Sequence, residues 1–261
     1  MSESAVLSEL HDHVLLVTIN RPAALNAINR DVARELGWAL ERADRERDIR
    51  ALVITGAGER AFCAGADLRA IARGEPLMDP DLEEWGFAGF VQHVISKPIV
   101  AAVNGLALGG GTEIVLAADL VVADERASFG LPEVKRGLMA AGGGAIRLPT
   151  RVPRSIAMEM ILTGDSLSAA DAARWGLVNY VAPDDQVVTA ALELARRVSR
   201  NAPLAVQASK RIAAAFPSGS ATEAELWRIN YAELESLKRS VDAREGPAAF
   251  AEKREPTWRG R

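Results

Sequence analysis

The sequence has few aromatic residues and a single cysteine. Aromatic side chains make up 5% of its 261 residues, whereas 49% of the residues are hydrophobic. The core must therefore consist mainly of small and branched aliphatic side chains, which favours backbones that approach closely. The lone Cys63 cannot form a disulfide within the chain, so nothing points to an oxidising compartment, and we expect a cytoplasmic protein. We expect Cys63 to be a small packing residue rather than a nucleophile, because no base accompanies it.

Other absences exclude whole classes of protein. Lys and Arg number 31 against 35 Asp and Glu, and the two signs are interspersed, so we expect no nucleic-acid partner. The start, from Met1 to Val6, has no basic stretch followed by an apolar one, so we expect no targeting signal. The longest apolar tract, 98–112, is shorter than the roughly 20 residues that a membrane-spanning helix needs, so we expect no membrane partner.

The first two thirds of the chain alternate β-branched runs, turn residues and helical patterns. Apolar residues recur every four positions from Ile28 to Leu40, which predicts an amphipathic helix, and 168–176 predicts a short helix with a Ser or Asp start and a glycine stop. Continuous apolar strands between helices predict an α/β fold with a parallel sheet that is buried on both faces. Four strands are predicted, at Val14–Ile19, Ala51–Thr55, Ile99–Val103 and Leu120–Ala123.

The last part of the chain has a different pattern. Strand signals end near Asp185, and helices are predicted at 187–198, 203–215 and 222–241. We therefore divide the chain into an α/β core over 1–200 and a helical region over 201–261.

Two glycine-rich segments resemble phosphate-binding loops, but neither keeps the full pattern. The Gly56-Ala-Gly58 turn follows a strand, yet no helical stripe comes after it. The segment 105–112 has Gly111 where a Walker loop has its phosphate-binding lysine. The motifs H-E-x-x-H, C-x-x-C and G-x-S-x-G do not occur, so we expect neither a zinc site nor a hydrolase triad.

Two glutamates occupy unusual positions. Glu113 follows three glycines and a threonine and lies in the first turn of a largely apolar helix, where a carboxylate either caps the helix or faces a pocket. Glu133 follows Gly130-Leu-Pro in a rigid turn, and the glycine run 142–144 comes soon after. Glycine-rich turns that lead into helices leave backbone N–H groups open to an oxyanion, and 109–111 and 63–67 are two such turns. Two N–H donors holding one carbonyl oxygen, with two glutamates beside them, suit proton transfer next to that carbonyl.

In five segments the chain resembles the enoyl-CoA hydratase/isomerase, or crotonase, superfamily. Each matching segment is modest alone, but together they occur in family order and cover nearly the whole chain. The segments are Ile19-Asn-Arg-Pro-Ala-Ala-Leu-Asn26, Ala61-Phe-Cys-Ala-Gly-Ala-Asp-Leu68, Val103-Asn-Gly-Leu-Ala-Leu-Gly-Gly-Gly-Thr-Glu113, Phe129-Gly-Leu-Pro-Glu133 and Ala248-Ala-Phe-Ala-Glu-Lys-Arg254.

The resemblance implies a spiral of ββα units with a helical C-terminal trimerisation region, assembled as a homotrimer or a dimer of trimers. It implies a coenzyme A thioester as substrate, with no permanently bound cofactor and no metal. The N–H groups of Ala66 and Gly110 match the family's oxyanion hole. Glu113 and Glu133 match the two hydratase glutamates, with Glu113 taking a proton from water and Glu133 delivering one to Cα.

The resemblance also implies a set of substrate-binding residues. They are Arg21, Ala24, Leu25, Ala64, Asp67, Leu68, Gly109, Leu131 and Lys253. Lys253 either approaches the nucleotide phosphate, across a subunit boundary in some relatives, or forms a surface ion pair with Glu252 or Glu255. Trp85 is either core or a mobile wall of the acyl pocket, and its loop context favours the wall.

One departure concerns the stretch after the second glutamate. Many hydratases have Pro-Gly-Ala-Gly-Gly there, whereas this chain has Ala140 and Ala141 in place of the proline and the first glycine. Acyl preference and water placement are therefore open. We expect reversible syn hydration of a trans-2-enoyl-CoA. The alternatives are a specialised dehydratase, a double-bond isomerase, or a catalytically silent protein that binds acyl-CoA.

Overall fold

The computed structural model describes residues 4–215 and 222–261, so the first three residues of the start discussed above lie outside it. Within the described residues, the strands are β1 (Val6–His11), β2 (Val14–Ile19), β3 (Ala51–Gly56), β4 (Ala61–Cys63), β5 (Ile99–Val103), β6 (Leu106–Leu108), β7 (Leu120–Asp124), β8 (Ser128–Gly130), β9 (Ser166–Ser168) and β10 (Tyr180–Ala182). The helices are α1 (Arg30–Arg45), α2 (Leu68–Ala72), α3 (Gly110–Ala117), α4 (Gly144–Arg151), α5 (Arg154–Thr163), α6 (Ala169–Arg174), α7 (Val187–Ser199), α8 (Pro203–Ala215), α9 (Glu223–Lys238) and α10 (Asp242–Glu252). Short 3-10 helices occupy Pro22–Ala24, Pro80–Trp85, Phe87–Gly89 and Pro132–Arg136.

The larger sheet has the strand order β1-β2-β3-β5-β7-β10. Only the β1–β2 pair is antiparallel among these described strands, and the other pairs are parallel. One face of the sheet, with Val17 and Ile54, packs in the same cluster as α1, whereas Val53 and Val100 pack with α7 on the other face. The predicted parallel sheet buried on both faces is confirmed.

The smaller sheet, in the order β4-β6-β8-β9, gives the chain its spiral form. Each of three successive turns contains a strand of the larger sheet, a strand of the smaller sheet and a helix. The three turns are β3-β4-α2, β5-β6-α3 and β7-β8-α4. The predicted spiral of ββα units is confirmed. Because β4 and β6 are parallel neighbours, the chain leaves both strands on the same side, and the turns before α2 and α3 meet there.

All four predicted strands are present, and several other elements differ from prediction. The sequence did not predict β1, β10 or the three-residue strands of the smaller sheet. The helix predicted at 168–176 is α6, and of the two proposed starts it uses Ser168, whose side chain accepts the N–H of Asp171. The helix predicted to reach Val241 ends at Lys238, because the Ser240 hydroxyl accepts the N–H of Ala243 and a new helix, α10, begins.

The C-terminal helices fold back onto the core through polar contacts. Lys210 of α8 pairs with Asp119 at 2.8 Å, and the indole N–H of Trp258 donates to the carbonyl of Arg200 at 2.8 Å. The division at residue 200 and the trimerisation role of 201–261 remain predictions. Among the described residues, no helix combines the length and the apolar character that crossing a membrane requires.

Candidate active site

Glu113 is buried in the first turn of α3, with 3% of its surface exposed. Its Oε1 accepts the N–H of Gly144, the first residue of α4, at 2.9 Å. Within the described residues, no side chain caps the start of α3. Of the two roles that the sequence allowed, capping of α3 is not observed, and the carboxylate lies instead against the start of α4.

Two glycines make room for this carboxylate. A Cβ on Gly144 would lie 3.1 Å from Oε1 of Glu113, and a Cβ on Gly142 would overlap Oε2. The same Cβ on Gly144 would also meet Cδ2 of Leu131 at 3.0 Å and Cβ of Ala140 at 2.8 Å. The 142–144 run is therefore the seat of Glu113, with Leu131 and Ala140 as apolar neighbours.

Glu133 lies in the 3-10 helix Pro132–Arg136, after β8. A Cβ on Gly109 would lie 3.0 Å from Oε1 of Glu133, so the second carboxylate approaches the backbone that begins α3. Its Oε2 is buried and has no hydrogen-bond partner among the described residues. A buried carboxylate oxygen without a partner is costly, so this atom is able to accept a hydrogen bond from a further donor.

Burial raises the pKa of both glutamates. For Glu113, the negative charge of Glu133 adds to the effect of burial, while the N–H groups of Gly144 and Gly142 and the Arg147 guanidinium oppose it. For Glu133, a bond from its own backbone N–H opposes burial. A carboxyl whose pKa is raised toward neutrality exchanges protons more readily at physiological pH, which is what acid–base chemistry requires.

The two predicted oxyanion donors lie on adjacent turns. A Cβ on Gly65 would lie 3.0 Å from the nitrogen of Gly110, and Gly65 adopts a φ of +87°. The carbonyl of Gly65 accepts the N–H of Ile28 at 2.8 Å, and the N–H of Asp67 donates to Ile28 at 2.9 Å. Between these two bonds, the N–H of Ala66 has no acceptor in the described part of the chain, and the same is true of Gly110.

The two turns are locked together by backbone packing. A Cβ on Gly111 would overlap the carbonyl oxygen of Cys63, so only glycine allows this approach. The Thr112 hydroxyl donates to the Ala107 carbonyl at 2.6 Å and so ties the first turn of α3 to β6. Burial raises the pKa of the Cys63 thiol to about 12, which agrees with a packing residue rather than a nucleophile.

The structure gathers most of the predicted coenzyme A residues near the start of α2. The N–H of Ala64 donates to the carbonyl of Leu25 at 3.0 Å, and Ala24 precedes Leu25 in the same turn. Arg21 forms an ion pair with Asp67 at 2.9 Å, and Asp67 also accepts the N–H groups of Arg69 and Ala70.

Asp67 and Leu68 differ in how far their side chains are already engaged within the chain. Burial alone would raise the pKa of Asp67, but the Ala70 N–H and the Arg21 guanidinium lower it below its ordinary value. Its carboxylate is thus already engaged in holding the turn that contains Ala66. The side chain of Leu68 is accessible, since 47% of the residue is exposed.

Lys253 is not brought to this group within the chain. It is the exposed residue that ends α10, and α10 packs on α9. In the described ranges no ion pair joins it to Glu252 or Glu255, and Glu252 pairs instead with Arg254 at 2.6 Å. The surface ion pair considered for Lys253 is therefore absent among the described residues, and its contact with coenzyme A remains a prediction.

Sequence reasoning missed Phe87. Its ring packs against Gly110 so closely that a Cβ there would overlap it. The ring is presented by a bend in which Gly86, Ala88 and Gly89 all adopt positive φ, which is unusual for alanine. The glycines at 86 and 89 were the available signal. The Trp85 ring stacks on His93 at 4.1 Å and contacts Trp38 edge-on at 5.4 Å, and its role as a wall of the acyl pocket remains a prediction.

Comparison with known proteins identifies the family. The family model described as enoyl-CoA hydratase/isomerase matches residues 9–261. The chain belongs to this family. It is an enzyme of the crotonase superfamily, of the hydratase or dehydratase type, and the family acts on coenzyme A thioesters.

Individual relatives share the whole length of the chain. It is 43% identical to a carnitinyl-CoA dehydratase of Proteus mirabilis over 264 residues, with 100% of both chains covered. It is 54% identical to a carnitinyl-CoA hydratase of Mycobacterium avium, with a TM-score of 0.81 and both chains fully covered. It is 46% identical to an enoyl-CoA hydratase of Mycobacterium tuberculosis H37Rv, with a TM-score of 0.93, covering 99% of this chain and 100% of the other.

Proposed function

We propose that the protein catalyses the reversible syn addition of water to a trans-2-enoyl-CoA, which gives a 3-hydroxyacyl-CoA. The observation that carries the proposal is the pairing of a buried carboxylate, Glu113, with a half-buried one, Glu133, both with raised pKa, beside two backbone N–H groups that have no acceptor among the described residues. Acid–base groups and oxyanion donors in one place are what the addition needs.

In this proposal the thioester oxygen binds the N–H groups of Ala66 and Gly110. Adding water at Cβ moves an electron pair onto that oxygen, and preorganised donors stabilise the charge without reorganising. Removing one such donor typically costs about 2.7–4 kcal/mol of activation free energy. The rigid packing of Gly111 on Cys63 supports this role, because it fixes the start of α3 relative to the 63–67 turn.

The glutamates then manage the protons. The water oxygen bonds to Cβ while Glu113 accepts one of its protons, and Glu133 gives a proton to Cα as the enolate collapses. The product gains one water, and the two carboxyl groups restore their starting states by exchanging protons with solvent. The partnerless Oε2 of Glu133 supports direct contact with the substrate.

Coenzyme A would bind along the start of α2. The residues that we assign to it, or to the thioester and acyl group, are Arg21, Ala24, Leu25, Ala64, Asp67, Leu68, Gly109, Leu131 and Lys253. The thioester is the substrate, so the proposal includes no resident cofactor or metal. We also propose a homotrimer or dimer of trimers, in which Lys253 reaches a neighbouring subunit's nucleotide.

The relatives' names favour a short 3-hydroxyacyl group with a quaternary ammonium, since two of those described above are named for carnitinyl-CoA. Two features of the site suit such a cation. The Phe87 ring lies beside Gly110, and an aromatic ring attracts a cation, while whichever of Glu113 and Glu133 is ionised supplies negative charge. The direction of flux in this second candidate is dehydration, which uses the same groups in reverse.

A single screen tests these assignments. The protein is incubated separately with crotonyl-CoA, longer trans-2-enoyl-CoAs and carnitinyl-CoA, and each thioester is followed by mass for the gain or loss of one water. We expect turnover of at least one member, and loss of water from carnitinyl-CoA would select the dehydratase. A change in the absorbance of the conjugated thioester without a change of mass would indicate an isomerase. Tight binding of every thioester with no product would contradict the proposal and indicate a silent binding protein.

A further inference from the structure

Arg147 is a half-buried cation that the proposed reaction does not use. It lies in α4, one turn after Gly144, whose N–H holds Glu113. In the described part of the chain it forms no ion pair with a carboxylate, and its guanidinium donates to two backbone carbonyls instead. Water solvates a guanidinium better than the interior of a protein does. An arginine that is half-buried and bonded to backbone carbonyls therefore indicates a specific structural role.

The two carbonyls belong to two segments: the 142–144 run that contacts Glu113 and the segment that carries Phe87 against Gly110. One guanidinium nitrogen donates to the carbonyl of Val91 at 2.6 Å, and the other lies 3.4 Å from the carbonyl of Gly142. Val91 is tied in turn to Phe87, because its N–H donates to the Phe87 carbonyl at 3.2 Å. Arg147 therefore joins the glycine seat of Glu113 to the segment that presents Phe87 against Gly110.

Arg147 also acts on Glu113 through its charge. The charged groups that influence this carboxylate are Glu133, whose negative charge raises its pKa, and Arg147, whose positive charge lowers it. Arg147 thus offsets part of the repulsion between the two glutamates. Burial holds the pKa of Arg147 itself below its ordinary range, and the charge of Glu113 opposes that effect.

We propose that Arg147 is the positioning residue for Glu113: it fixes the 142–144 turn against the Phe87 segment and keeps a positive charge beside the carboxylate. The assignment rests on the proposed function for its kinetic consequence, since Glu113 must be ionised to accept a proton from water. Its structural consequence is independent of turnover.

Two substitutions separate the bridge from the charge. Arg147→Gln removes the charge and leaves a short amide, whereas Arg147→Lys keeps the charge but loses the fork that reaches both carbonyls. Arg151→Gln is the matched control, because Arg151 lies one turn later in α4 and donates to the carbonyl of Ala118 at 3.1 Å, at the far end of α3. All variants are checked for folding by thermal melting.

The first readout does not need activity. The side-chain carboxyl carbon of Glu113, labelled with ¹³C and assigned with Glu113→Gln, is titrated by NMR in the full-length protein. We expect the titration to move to higher pH in Arg147→Gln, to move less in Arg147→Lys, which keeps the charge, and to stay in place in Arg151→Gln. An unchanged titration in a folded Arg147→Gln would overturn the electrostatic half of the proposal.

The second readout is the pH profile of kcat/KM with the best substrate from the screen. We expect the acid limb to move to higher pH in Arg147→Gln alone, and kcat to fall roughly 10- to 100-fold in both Arg147 variants because Glu113 is misplaced. If Arg147→Gln does not fold, Arg147→Lys decides: wild-type kcat in that variant would overturn the bridging role. A wild-type protein with no turnover would refute the proposed function, and the carboxyl titration would still decide the assignment of Arg147.

Discussion

Glu113 and Glu133 are the same residue type in one site, and their surroundings differ. Glu113 is held by a backbone N–H from the next helix and has a guanidinium nearby. Glu133 has a buried oxygen that no described group contacts. The protein thus fixes one carboxylate through its own hydrogen bonds and leaves one oxygen of the other without a described partner.

This difference indicates how two carboxyl groups with raised pKa can have different tasks. A carboxylate held by N–H donors keeps its orientation through the reaction, which suits the group that positions a water. A carboxylate with an open oxygen gains its missing partner when substrate arrives, which suits the group next to Cα. The following predictions test this contrast, from the largest expected effect to the smallest.

The largest effect should come from replacing each carboxylate in turn. Glu113→Gln and Glu133→Gln should each lower the hydration rate by about 10²–10⁴-fold, because general acid–base catalysis contributes that much. The two variants should differ in a partial reaction, the exchange of the α-protons of a saturated acyl-CoA with deuterated water, followed by mass. We expect exchange to persist in Glu113→Gln and to disappear in Glu133→Gln.

The control for this pair is binding of a saturated acyl-CoA measured by calorimetry. Both variants should bind it about as tightly as the wild type, because glutamine fills the same space. If Glu113→Gln loses exchange and Glu133→Gln keeps it, the assigned roles are reversed.

A smaller loss should follow from crowding the seat of Glu113. Gly142 does not adopt a positive φ, so Gly142→Ala strains no backbone, but its new Cβ would overlap Oε2 of Glu113. Displacing that carboxylate by a few tenths of an ångström or more should lower kcat by roughly 10- to 100-fold. Gly246→Ala is the matched control, since its Cβ would meet Trp258 at 3.4 Å, far from the site. Equal kcat for the two variants would show that the seat tolerates a methyl group.

The features of the fold and of the two glutamates that the sequence predicted are those set by neighbouring residues. The strand runs, the helix that begins at the 109–111 glycines and the positions of Glu113 and Glu133 depend on a few consecutive residues. Turn chemistry and apolar spacing are strong signals over such short distances. The turns 63–67 and 109–111 were predicted for the same reason, whereas the choice of the Ala66 and Gly110 N–H groups within them came from the family resemblance.

The features that the sequence did not predict depend on contacts between segments that are far apart in the sequence. Gly144 is 31 positions from Glu113, and Val91 is 56 positions from Arg147, so no local pattern links them. The three-residue strands of the smaller sheet are too short to show alternation, yet they set the two turns side by side. Phe87 escaped because its role comes from a bend with a left-handed alanine, which sequence patterns do not predict.

The smallest predicted effect is on the free energy of unfolding, and its sign depends on whether a carboxylate has hydrogen-bond partners. Because the folded-state pKa of Glu133 is raised above its unfolded value, its contribution to stability is present below the unfolded pKa and is lost as pH rises through the folded pKa. Because glutamine does not ionise, the Glu133→Gln variant does not lose this stability as pH rises. Its free energy of unfolding in urea should therefore match the wild type near pH 4 and exceed it by about 1 kcal/mol or less near pH 8.

Glu245 supplies a control of opposite sign. Hydrogen bonds from Arg254 and from the Thr257 N–H lower the pKa of Glu245 to about 2, so its stabilisation is present above the unfolded pKa and is lost as pH falls through the folded one. Glu245→Gln should therefore destabilise the protein near neutral pH and lose that effect in acid. If both variants changed the free energy of unfolding with the same sign near pH 8, the unpartnered oxygen of Glu133 would not be a strained feature of the free enzyme, because a satisfied carboxylate behaves like Glu245.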